Sequence, residues 1–171
     1  MIYLLYGQPA SGKTTLGKKL ANHLNTPFMI DGDEFRGMFS NKNYGKEGRE
    51  QNIKNANAVA TYLNKKASQD EWVAIYCKDN GGNSIMGRPV KKGTDVVMCL
   101  VNPYKHLREE LHVLNEGQVV EVFLQSSRDL RREYHVKDFE IGQPEYALRT
   151  DVSIEKSWEN LKQILNIDDV T

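Results

Sequence analysis

GQPASGKTT, residues 7–15, follows directly on the apolar run IYLLY at residues 2–6, and this pairing decides the fold class. The run is too short to span a membrane and lacks the charged flank and long apolar stretch of a signal peptide. Bounded by Gly7, it predicts a buried strand of a parallel sheet. Beyond the glycines, Leu16, Leu20, Ala21 and Leu24 recur at helical spacing, so a helix starts near Gly12. Strand, turn and helix are the context in which G-x-x-x-x-G-K-[ST] binds phosphate. Gly7-Gln8-Pro9-Ala10-Ser11-Gly12-Lys13-Thr14 meets every fixed position of that pattern. Glycines let main-chain N–H groups turn inward around an anion, and a helix N-terminus adds partial positive charge. Lys13 would reach the β- and γ-phosphates, and the Thr14 hydroxyl would complete the shell of a Mg2+ ion. Residues 7–15, Thr15 included, are the expected cradle of a nucleoside triphosphate.

Bulk properties narrow the class. A chain of 171 residues has the size of a single α/β domain, residues 1–171, with room for a sizeable core. Lys plus Arg and Asp plus Glu balance at 23 each, so no basic excess points to nucleic acid or an acidic membrane. Cys77 and Cys99 each lie within an apolar run and outside any metal-ligand spacing, which predicts buried free thiols in a reducing cytoplasm.

The remaining sequence alternates strand and helix signals. Phe28-Met29-Ile30 predicts a second strand, and Ile53, Ala56, Ala60 and Leu63 mark one face of a helix from about Arg49 to Lys66. DVVMCLV at 95–101 and VVEVFL at 119–124 predict further buried strands, with a helix through Leu107, Leu111 and Leu114 stopped at Gly117. Tyr146 to Thr150 predicts a last strand. Ser153 caps a closing helix that carries Ile154, Trp158, Leu161 and Leu165. The expected architecture is a P-loop nucleoside triphosphate hydrolase fold, a parallel sheet with helices on both faces. In such sheets the residues just beyond the strands carry the chemistry. After the second strand stand Asp31-Gly32-Asp33-Glu34-Phe35-Arg36. Beside a triphosphate, Asp31 or Asp33 can hold the metal or accept the proton of an attacking hydroxyl, and Arg36 can clamp a phosphoryl group. The same residues also suit a plain Asp-Gly turn that opens a helix.

GQPASGKTT, IDGDEFR, NYGKEGREQNI and VNPYKHLREELHVLNEGQVVEVFLQSS together resemble the adenylylsulfate kinases in order and spacing. The resemblance runs from Met1 to about Glu140 and resumes at PEYALRTDVSIEKSWENL. It implies transfer of the γ-phosphate of ATP, with Mg2+, to the ribose 3′-hydroxyl of adenylyl sulfate or a related nucleotide. It makes Asp31 and Asp33 together the candidates for metal positioning and for the catalytic base, without saying which of the two is the base. It places Arg36, Arg49 and Asn52 on the acceptor nucleotide, Tyr44 against that nucleotide's base, and Lys137 at the family's Asp-x-Lys lysine. The expected partner is a small-molecule nucleotide acceptor rather than a membrane or nucleic acid, and a homodimer stays open as an assembly.

The departures from the family fall on the acceptor side. Asn102-Pro103-Tyr104 replaces the family's Ser-Pro-Tyr and puts an amide, Asn102, in the acceptor set. Tyr134 stands where the family has an arginine near adenine, and only Ile141-Gly142-Gln143 remains of its long basic lid. Residues 69–94 are extra. Their run Trp72–Cys77 competes with 95–101 for the core strand, and 95–101 is preferred because Asn102-Pro103-Tyr104 follows it. The extra segment is expected to form a hairpin or a substitute lid, with Arg88, Lys91 and Lys92 available to an anion. Other functions on the same scaffold are a small-metabolite kinase of the gluconate or shikimate kind, a nucleic-acid kinase, and a nucleotide switch. A guanine switch is disfavoured because Asn41-Lys42-Asn43 lacks the closing aspartate of Asn-Lys-x-Asp.

Overall fold

A computed structural model describes residues 1–67, 72–79, 82–89, 95–128 and 130–167. In chain order the elements are β1 (Ile2–Tyr6), α1 (Lys13–His23), β2 (Met29–Asp31), α2 (Gly32–Met38) and α3 (Lys46–Ala67). They are followed by β3 (Trp72–Asp79), β4 (Gly82–Pro89), β5 (Val96–Leu100), α4 (Lys105–Leu114), β6 (Val119–Gln125), β7 (Tyr146–Arg149) and α5 (Ile154–Leu165). Five strands form one sheet in the order β2-β5-β1-β6-β7, and every pairing in it is parallel.

The side-chain pattern shows why both faces are covered. All five residues of β5 are buried, as a parallel strand sandwiched between helical layers requires. Ile2, Leu4 and Tyr6 of β1 pack with Val96, Met98 and Leu100 of β5 beneath Ala56 and Ala60 of α3 and Leu111 of α4. The alternate residues Leu5, Val97 and Cys99 face the other way, against Leu16 and Leu20 of α1 and Leu161 of α5. The α1 layer sits close, because a Cβ on Gly17 would overlap the Cys99 sulfur.

The sheet order also locates the site. From β1 the chain moves to one side for β2, returns to β5 beside β1, then crosses to β6 on β1's other side. A crevice opens at such a reversal, beyond the carboxyl end of β1, where residues 7–12 lie.

The run 96–100 is the core strand, as preferred over 72–77. The rival run pairs Trp72 with Pro89 through to Asp79 with Gly82 in an antiparallel hairpin that forms its own two-stranded sheet. Arg88 stands on β4 opposite Val73, while Lys91 and Lys92 lie outside the described residues. Boundaries differ from expectation at several points. β2 runs one residue later than Phe28–Ile30, because Met29 to Asp31 align with Val97 to Cys99 of β5. α3 begins at Lys46 rather than near Arg49, its added turn being polar and so without an apolar signal. Residues 32–38 form a helix of their own, α2, with only Phe35 buried. Among the described residues, no helix is long and apolar enough to cross a membrane.

Candidate active site at the phosphate loop

The loop between β1 and α1 is shaped by two glycines, one required by space and one favoured by backbone conformation. A Cβ on Gly7 would overlap the carbonyl oxygen of Leu124 on β6. Gly12 caps α1 at φ 90° and ψ 7°, a left-handed conformation that side chains disfavour. Ala10 also takes a left-handed φ of 62°. Thr150, just beyond β7, donates its hydroxyl to the Ser11 carbonyl at 2.9 Å and ties the loop to the far side of the sheet. The first-turn N–H groups of α1 have no partner within the helix, so the loop presents main-chain donors where an anion would sit.

Lys13 is only 9% exposed. Its ammonium donates to the Gln8 carbonyl at 2.7 Å and to Ser11 Oγ at 3.2 Å, spanning the loop from inside. Burial pulls its pKa down from 10.5 to about 8, against the pull of the Asp33 and Asp31 carboxylates. Two opposite pH effects follow. The unfolded chain keeps the proton up to 10.5 and the folded chain releases it near 8, so this group adds stability to the ligand-free protein as pH rises through that window. Triphosphate binding needs the charged form. Affinity for Mg2+-AMPPNP is therefore expected to weaken as pH climbs past about 8, approaching tenfold per pH unit. Calorimetric titration checks this, and an affinity flat from about pH 7 to about 9 would mean that the Lys13 ammonium holds its proton through that range or does not meet the triphosphate.

Thr14 and Asp31 meet directly. The Thr14 hydroxyl donates to Asp31 Oδ2 at 2.7 Å. Asp31 Oδ1 accepts the main-chain N–H groups of Asp33 at 3.0 Å and Glu34 at 3.4 Å, capping α2. One carboxylate thus serves both readings of this segment: one oxygen opens a helix and the other joins the phosphate loop. The fit to Mg2+ is good. That ion prefers one or two carboxylate or hydroxyl oxygens together with phosphate oxygens and waters over an all-protein cage. Thr14 Oγ1 and Asp31 Oδ2 supply such a pair, and among the described residues no larger cluster of metal ligands forms. Asp33 is exposed on the first turn of α2, and its carboxylate favours the charged forms of both Lys13 and Arg36.

Arg36, Tyr44 and Arg49 come together. The Arg36 guanidinium lies 4.5 Å from the centre of the Tyr44 ring and donates to the Asn43 carbonyl at 2.8 Å. Arg49 donates to the Tyr44 carbonyl at 2.6 Å and to the Tyr104 hydroxyl at 3.1 Å, and pairs with Asp138 at 3.6 Å. Tyr44 itself is 71% exposed, an open aromatic face beside two guanidiniums. Asn52 lies on the neighbouring turn of α3 and donates to the Gly32 carbonyl at 3.1 Å. Asn102 is buried just beyond β5 with a left-handed φ of 43°. Among the described residues, Asn52 Oδ1 and both amide atoms of Asn102 have no partner, although buried polar atoms nearly always do. Lys137 is exposed and lines a cavity of about 320 Å³ together with Gln8 to Ser11 of the loop.

Tyr104, Asp138 and Thr150 were not foreseen as members of the site. Tyr104 and Thr150 follow strands closely, so their positions alone could have marked them. The Arg49–Asp138 pair joins distant segments and leaves no local signal.

The AAA domain family profile matches residues 6–98, more than half of the chain, beginning at the end of β1 and closing within β5. The chain belongs to the AAA domain family. No curated protein is detectably similar to it in sequence. Among solved structures, the APS kinase of Mycobacterium tuberculosis in complex with AMPPNP and APS superposes with a TM-score of 0.68 at 16% identity, covering 96% of each chain. A gluconokinase from Sinorhizobium meliloti 1021 gives 0.60 at 14% identity, over 96% of this chain and 90% of its own. The shikimate kinase of Bacteroides thetaiotaomicron gives 0.56 at 17%, over 97% of this chain and 98% of its own. This AAA domain protein therefore has the P-loop kinase fold, which kinases named for three different substrates share.

Proposed function

We propose that the chain is an ATP-dependent phosphotransferase that moves the γ-phosphate to a hydroxyl of an anionic nucleotide, adenylyl sulfate or a related one. The observation that carries this reading is the Arg36–Tyr44–Arg49 group, drawn from α2, the loop after it and the first turn of α3. A nucleotide-hydrolysing switch has no use for a second cationic and aromatic site; a kinase needs one for its acceptor. Guanidiniums bind phosphate or sulfate through paired hydrogen bonds, and an aromatic ring stacks on a base. Lys13 and the loop amides would hold the triphosphate, and Asp33 would take the acceptor proton. Mg2+, held by Thr14 and Asp31, would neutralise charge on the β- and γ-oxygens.

A second reading is a small-metabolite kinase. Its support is that the Arg49 nitrogens are already engaged with Tyr44, Tyr104 and Asp138, which leaves less of the guanidinium for a nucleotide. The shared fold of the gluconokinase and shikimate kinase is consistent with it. The test is a panel of acceptors incubated with γ-labelled ATP: adenylyl sulfate, a cytidine diphosphate derivative, gluconate and shikimate. Label on a nucleotide, mapped to a ribose hydroxyl, is the expected result. Label on gluconate or shikimate alone moves the second reading ahead, and ATP hydrolysis with no labelled acceptor returns the chain to the switch class.

A further inference from the structure

The shortened lid has left a strap, residues 136–141, that is fastened at nearly every residue. Val136 is held by Gln8 of the phosphate loop, whose side-chain amide donates to the Val136 carbonyl at 2.9 Å and accepts the Val136 N–H at 2.9 Å. Asp138 pairs with Arg49 of the acceptor group. Phe139 stacks on Tyr6, ring centres 6.3 Å apart and planes within 3° of parallel. Glu140 donates its N–H to the Pro103 carbonyl at 2.8 Å and accepts the first N–H of α4 through its carboxylate, also at 2.8 Å. The buried Arg108 guanidinium, 4.4 Å from the centre of the Tyr6 ring, donates to the carbonyls of Glu140 at 2.6 Å and Ile141 at 3.1 Å.

Lys137 is the exception. Among the described residues its ammonium has no partner, although its neighbours on either side are tied to the phosphate loop and to the acceptor arginine. It also lines the same cavity as Gln8, Ser11 and Arg128. A two-way pairing between a side-chain amide and a peptide fixes both distance and rotation of the chain it grips, which a single hydrogen bond does not. The second position of the phosphate-loop pattern is free to vary, so nothing in nucleotide binding itself calls for glutamine there.

We propose that Gln8 is a positioning residue: its paired amide registers the strap against the phosphate loop so that the Lys137 ammonium stands at the terminal phosphate of the bound nucleotide. This rests on the reading of the loop as a triphosphate site and needs no particular acceptor.

The experiment is a double-mutant cycle read by binding alone, on the full chain. Dissociation constants of Mg2+-AMPPNP and Mg2+-ADP give a preference for the terminal phosphate, and thermal midpoints report folding. Lys137→Ala is expected to cut that preference about tenfold, the size of one lost charged hydrogen bond. Gln8→Ala is expected to cut it about fivefold, and adding it to Lys137→Ala should cost less than about twofold more. Gln8→Glu keeps the side-chain volume but turns the group facing the Val136 carbonyl into an acceptor, and should lower the preference as Gln8→Ala does. An unchanged preference in Lys137→Ala, or in both Gln8 variants, overturns the proposal. So do effects that multiply in the double variant, since the two residues would then act separately. Because no acceptor enters the measurement, a chain that phosphorylates nothing on the panel would still return a clear answer here.

Discussion

Replacing Lys13 with alanine is expected to lower phosphoryl transfer from ATP by about three orders of magnitude or more, some 4 kcal/mol of transition-state stabilisation. Phosphoryl transfer asks little covalent chemistry of a protein. Its barrier falls through positioning and through neutralising charge on the transferring oxygens. Lys13 is the loop's own cation, held inside it by the Gln8 carbonyl and Ser11 Oγ. Burial already draws its proton off at about pH 8, so the folded chain keeps this charge at a cost that the alanine variant no longer bears. The thermal midpoint of Lys13→Ala should therefore not fall by more than a few degrees, and the lost turnover cannot be laid to unfolding. Turnover is measured with γ-labelled ATP and the best acceptor of the panel, or as acceptor-free hydrolysis if none is labelled. Wild-type turnover in this variant would remove residues 7–15 from the chemistry altogether.

The phosphate loop was legible because its requirements are local: a strand, two glycines at fixed spacing, a lysine and a helix start, all within the first 24 residues. The sheet was legible for a related reason. Strands buried on both faces read as unbroken apolar runs, and 96–100 is one. Apolar content alone could not separate that run from 72–77, since both suit a strand; the decision is made by pairing with β1 and β2, a tertiary fact. α2 was too short to show periodicity, and its single buried residue, Phe35, gives no repeat to read. The first turn of α3 is fixed by Gly48, where a Cβ would run into the Asn43 backbone, rather than by any apolar residue.

The acceptor side divides in the same way. Arg36, Tyr44 and Arg49 lie close in sequence, on two consecutive helices and the loop between them, so a linear pattern could carry them. The strap could not be read. Gln8 and Val136 are 128 residues apart, and the partners of Arg108 lie on the strap and on β6. Such contacts exist only once the sheet has brought β1, β5 and β6 side by side.

Asp31→Asn separates the two tasks of that carboxylate. Asparagine is as good an N-cap as aspartate, so the main-chain N–H groups of Asp33 and Glu34 keep their acceptor and α2 keeps its start. The negative charge beside Thr14 Oγ1 is lost, and with it half of the oxygen pair suited to Mg2+. If that pair matters chiefly as charge builds on the transferring phosphate, kcat should fall about a hundredfold while the KM for ATP moves by less than about threefold. Raising Mg2+ would then recover little of the loss, because the single amide oxygen is held by the cap and the amide nitrogen beside Thr14 cannot coordinate the ion. The folded state acts as the internal control. A thermal midpoint within a few degrees of the parent shows that capping survived, whereas alanine at the same position should cost about 1 kcal/mol of stability by removing the cap as well. Near-full kcat in Asp31→Asn at saturating Mg2+, with the alanine variant destabilised, would leave Asp31 as a helix cap that happens to touch Thr14. The metal-binding oxygen would then be sought in Asp33, the other carboxylate that favours the charged form of Lys13.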